Sequence, residues 1–172
     1  MNGGAILIRL SKIVMVGGLA FWAFLVTLGN VTDYGSNWAF VHHVMAMDTV
    51  FPDSTLTWRA ITSPAAQTVA YIAIIIVEGL TCLAFLVAAV RMARALRAPK
   101  AAFQRAKTVT ALGALLGFGL WFIGFMAVGG EWFAMWQSDE WNGQDAAFRF
   151  FITVLAVAIY VFLDTDGEPG AS

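Results

Sequence analysis

Four stretches of almost unbroken apolar residues divide the chain, at about residues 13–28, 69–90, 109–128 and 147–163. A helix needs about 20 mostly apolar residues to cross the hydrocarbon core of a bilayer, and each stretch meets or approaches that length. Lipid offers no water to unpaired peptide groups, so all four are expected to be helices. The first follows Arg9 and Lys12 and begins earlier, at Ile6, if those two side chains snorkel. No small-residue cleavage site of the Ala-x-Ala kind follows it, so a permanent helix is expected rather than a removed leader. The second is interrupted only by Glu78, the third is rich in glycine, and the fourth carries Arg149 near its start.

The polar intervals are patterned too. Between the first two stretches, residues 30–64 hold Trp38-Ala-Phe-Val-His-His-Val-Met-Ala-Met, which places Trp38, Val41, Val44 and Met45 toward one side of a helix lying in the membrane interface. Phe51-Pro52-Asp53-Ser54 stops it. Ser54 or Asp53 is then placed to cap a second short helix through Leu56, Trp58, Arg59 and Ile61, and Ser63 or Thr62 to cap the second spanning helix with Pro64 at its first position. The expected fold is all-α: a four-helix transmembrane bundle, one domain over 1–172, with short interfacial helices capping the outer face and an acidic, frayed tail at 164–172.

Composition sharpens the class. The chain is 60% hydrophobic and 12% charged, with a mean hydropathy of +0.76, against about 45–50% apolar and about 25% charged in soluble domains. Disorder, a disulfide scaffold and a nucleic-acid binder are excluded, and the single Cys82 lies in an apolar run where packing is its expected role. Net charge is −1, but six of the ten basic residues fall between the second and third stretches. By the positive-inside rule this predicts both termini on the cytosolic side. The opposite segment, 131–146, carries Glu131, Asp139, Glu140 and Asp145 beside three tryptophans and is expected to be a solvated loop with interfacial anchors.

Candidate chemistry is sparse. Glu78 falls near the middle of the second stretch, where an acid is costly and a functional suspect. It either fastens helices together or couples a proton or ion. Trp121, Thr27, Thr153 and, from the outer side, Arg149 are within reach by depth. His42, His43, Met45 and Met47, with Asp48, form a compact cluster whose imidazole and thioether donors suit Cu(I), or which packs the cap. Asp48 and Arg59 are expected to pair across it. Two adjacent histidines cannot clamp a haem between facing helices. Phosphate-binding, zinc-protease, dithiol and serine-hydrolase motifs are missing, so neither an enzyme nor a bound cofactor is expected, copper being the alternative. Gly113 and Gly117, with Gly124 seven residues further on, provide a small-residue ridge for packing inside the bundle or against a partner.

The run Asn37-Trp-Ala-Phe-Val-His-His-Val-Met-Ala-Met-Asp-Thr-Val-Phe-Pro, then Trp58-Arg-Ala-Ile-Thr-Ser-Pro, then Glu78, resembles a bacterial family of predicted small integral membrane proteins of unknown function. The likeness covers nearly the whole chain. It implies four helices in an inner membrane and brings no activity. The function expected is an accessory subunit or assembly partner of a larger membrane complex, or a homo-oligomer, in the lipid bilayer and without nucleic acid. The alternatives are a small proton- or ion-coupled transporter using Glu78, and an outer-face copper binder using His43 and Met47.

Overall fold

The computed structural model describes residues 3–167, and over that range every regular element is helical. They are α1 (Gly3–Thr32), α2 (Tyr34–Ala46), α3 (Pro64–Arg94), α4 (Lys100–Phe118) and α5 (Gln144–Phe162). α4 runs without a break into a π-helical stretch, Gly119–Trp132, and single 3₁₀ turns occur at Thr57–Arg59 and Met135–Gln137. Four helices are long and apolar enough to cross a membrane: α1, α3, α4 with its π-helical continuation, and α5. Their outward sides bear Val14, Phe21, Ile76, Leu83, Leu115 and Ile159, all exposed. So much exposed apolar surface suits lipid and not water. Inside, Val16, Phe85, Phe103, Val154 and Val161 are fully buried in one core.

The ends of the helices follow local chemistry. Ser63 is extended and its Oγ accepts from the Ala66 N–H, with Pro64 at the first helical position, as its sequence predicts. α2 begins at Tyr34, directly after α1 and a single intervening Asp33. It stops at Ala46, well before Pro52, because Met47 turns left-handed with φ 53°. The second expected short helix shrinks to the one turn Thr57–Arg59. α2 is bound to the first turns of α3 and the chain just before it: Trp38 Nε1 donates to Thr68 Oγ1 at 3.1 Å, and Ile61 N donates to the Met45 carbonyl at 2.8 Å.

The loop 133–143 is not merely solvated. Its acids Asp139 and Glu140 are exposed, but Phe133, Ala134 and Met135 are buried with Val44 and Met47 in a second apolar cluster. Thr49 bonds Ser138 through their hydroxyls at 2.9 Å, and the Phe51 N–H donates to Gln137 Oε1. The cap therefore has two halves, one from each loop.

At the opposite end lies a buried ionic plug. Arg9 and Lys12 do not snorkel; both are fully buried. Lys12 Nζ lies 2.8 Å from Asp166 Oδ1 and Lys107 Nζ 2.6 Å from Asp166 Oδ2, with all three side chains inaccessible to solvent. Gln104 Nε2 adds a third donor to Asp166. Arg9 spends its guanidinium on the carbonyls of Leu96, Ala98, Asp166 and Gly167. The segment expected to fray is thus pinned through Gly167, and 168–172 lie outside the described residues. Next to the plug, the Lys100 ammonium holds the exposed Asp164 carboxyl below the usual carboxylate range.

The three ridge glycines differ. A Cβ on Gly113 would sit 2.6 Å from the Phe85 ring, and one on Gly117 3.1 Å from Trp121. Both are packing positions inside the bundle. Gly124 has only ordinary contacts and belongs to the π-helical stretch. There Gly119, Gly124 and Gly129 recur at steps of five, and the carbonyls of Gly119 and Gly124 are near neighbours of Gly124 and Gly129 respectively. A π-helix bonds i to i+5 and seldom exceeds one turn; here a line free of side chains runs along it.

Candidate functional site

Glu78 is 2% exposed and faces α1. Its partner is Asn30, whose Nδ2 donates to Oε2 at 2.8 Å and to Oε1 at 3.1 Å. Tyr71, two turns earlier on the same face of α3, donates its hydroxyl to the Asn30 carbonyl at 2.8 Å. None of the partners expected by depth fills this role. Thr27 and Thr153 return their hydroxyls to the carbonyls of Ala23 and Arg149 within their own helices. Arg149 is exposed and lines a separate cleft with Met15, Leu19 and Trp22. Trp121 does border the glutamate, as one wall of a cavity of about 240 Å³ that also reaches Asn37 and Gly143 toward the cap. On the far side Trp22, Trp121 and Phe150 pack ring against ring at 4.7–5.7 Å, closing the niche toward the plug. Asn30 was the residue sequence reasoning missed. It stands at the end of the first apolar stretch, where an amide looks like ordinary loop polarity.

The histidines point to the cap's other side. Gln67 Nε2 donates to the Ile61 carbonyl, which fixes its amide so that Oε1 accepts from His42 Nδ1 at 2.8 Å. His43 Nδ1 donates to the Asp48 carboxylate at 2.9 Å. Each ring stacks on one tryptophan, His42 on Trp38 and His43 on Trp141. Ligand atoms of His42, His43 and Asp48 lie within 4.8 Å of one another. Met47 is 4% exposed inside the second apolar cluster, and Met45 packs against that cluster. What converges is an imidazole and carboxylate set, harder than the Cu(I) donors expected from sequence.

Asp48 and Arg59 do not pair, since Asp48 is taken by His43. Arg59 instead reaches the end of the π-helical stretch, donating to the carbonyls of Trp132 at 3.3 Å and Glu131 at 3.4 Å. Its guanidinium lies 5.0 Å from the Trp132 ring and 5.3 Å from that of Trp58.

Four apolar helices with lipid-compatible exteriors define an integral membrane protein. The chain belongs to the family of predicted small integral membrane proteins DUF2165, whose model matches residues 8–164. No curated protein and no solved structure matches it.

Proposed function

We propose that this protein is a non-enzymatic accessory or assembly subunit of a larger complex in a bacterial inner membrane, with both chain ends in the cytosol. The orientation is supported by Arg91, Arg94, Arg97 and Arg105 at the plug end and by the exposed acids of the cap at the other. The observation that carries the role is aromatic surface left exposed on the cap. Phe51 and Trp136 meet edge to face, 5.8 Å between centroids, yet remain 46% and 49% exposed. Each comes from a different half of the cap, so the pair is rigid, and rigid exposed aromatics are favoured anchors at protein interfaces.

The test is purification of the tagged full chain from its own membranes in mild detergent, with mass spectrometry of what accompanies it. One membrane partner in stoichiometric amount, lost on Phe51→Ser with Trp136→Ser while the subunit itself still accumulates, is expected. A clean monomer or homodimer overturns the reading. Orientation is checked separately: a phosphatase that works only in the periplasm, fused after Ser172, should be inactive.

A second reading has its own observation, the Glu78–Asn30 pair beside an internal cavity. In it Glu78 binds a proton or cation in a transport cycle. Flux into liposomes that survives Glu78→Gln removes that role.

A further inference from the structure

A second cavity adjoins the niche at Glu78, the two sharing Phe40, Val41, Ile74 and Phe125 as walls. It measures about 810 Å³ and lies under α2, between α3 and the π-helical stretch. Val44, Ala73, Gly124, Ala127 and Val128 are among its walls, and no charged side chain lines it. Ala73, Ala127 and Val128 are exposed, so it opens sideways between two spanning helices, where the bundle meets lipid. Gly124 and Gly129 of the π-helix are both on the wall and add no side chain of their own to it. The volume is in the range of about 300–1,000 Å³ found for sites that enclose small ligands.

At the rim stand Ile61 and Trp132, and over Trp132 lies Arg59. Only its Nη1 is engaged, by two long bonds to carbonyls. Its Nε is buried and has no hydrogen-bond partner among the described residues. None of the ion pairs there involves it. Glu131 meets it through a backbone carbonyl. An arginine with spare donors in a fixed fork matches a phosphate oxygen pair. A positive charge above an apolar, laterally open cavity in a membrane protein calls for an amphiphile with an anionic head and an aliphatic tail.

We propose that this cavity holds an acyl chain of an anionic glycerophospholipid from the adjoining leaflet, with Arg59 on its phosphate. The site uses neither Phe51 nor Trp136 and stands apart from the accessory role.

Native mass spectrometry tests it, on the full chain released in mild detergent from nanodiscs of equal phosphatidylcholine and phosphatidylglycerol. The expected result is one retained phospholipid per chain, phosphatidylglycerol exceeding phosphatidylcholine by about tenfold. Arg59→Gln should keep a lipid but bring the two headgroups to parity. Gly124→Leu should abolish retention; a Cβ there meets only ordinary contacts at 3.8 Å, so the fold tolerates the start of the side chain. Ala73→Leu fills the opposite wall and serves as an independent variant, each checked by its thermal unfolding curve. No retained lipid in the unmodified protein overturns the proposal. So does retention unchanged in both filled variants, or a headgroup ratio that Arg59→Gln leaves as it was.

Discussion

The most exacting single residue is Asn30. Its amide is the donor for both oxygens of a carboxylate buried between helices, and its carbonyl takes the Tyr71 hydroxyl. Truncating one side of a buried hydrogen bond strands the other, at a cost of about 1–3 kcal/mol, whereas removing both partners is nearly neutral. Asn30→Ala is therefore expected to lower the midpoint of unfolding in detergent, followed by tryptophan fluorescence. Asn30→Leu combined with Glu78→Leu should recover most of the loss. Equal and additive losses from the two sites would mean the pair carries no coupling. Glu78 was legible as an anomaly because charge in an apolar run is rare. Its partner was not, because hydrogen bonding between helices depends on register, which a single sequence does not display. The Asp48–Arg59 pairing failed for the same reason. Asp48 finds His43 five residues back on its own chain before any more distant cation.

At the level of the element, glycine decides how closely helices approach. Gly113→Ala forces its new methyl into the Phe85 ring and should cost about 1–3 kcal/mol as overpacking. Gly124→Ala meets nothing closer than 3.8 Å and should be neutral or slightly stabilising. Parallel melts of the two variants check the order; a reversed order would put the close contact on the wrong glycine. The four spans were plain from hydropathy because burial in lipid imposes length and apolarity together. The ends were less so. α1 gains the turns around Arg9 and Lys12, whose charges look like a boundary until the carboxylate and carbonyls of the tail after α5 are known. The π-helical stretch left one trace, the steps of five from Gly119 to Gly129. A search for steps of four, suited to an α-helix, passes over it.

On the scale of the whole molecule the two ends are built on opposite principles. The cap holds by packed aromatics and partly exposed hydrogen bonds such as His43 to Asp48, the plug by three buried cations gathered around one carboxylate and a ring of carbonyls. Removing that carboxylate leaves Lys12 and Lys107 buried together without their counter-charge, although Lys12 keeps its bond to the Leu163 carbonyl. Breaking a buried pair from one side costs about 3–5 kcal/mol, so Asp166→Asn should destabilise the protein by that order. Adding Lys107→Gln should win part of it back. Denaturation in graded harsh detergent measures both, and a double variant no better than Asp166→Asn would show that the like charges are not the cause.

Asp166 also comes after all four spans in the chain. Lys12 and Lys107 must enter the bundle earlier during synthesis, each a lone cation in an apolar setting until that residue arrives. Nascent helices can therefore gather, but they cannot lock, before translation has passed it. A chain cut short just upstream would be left holding two buried lysines without the carboxylate they share.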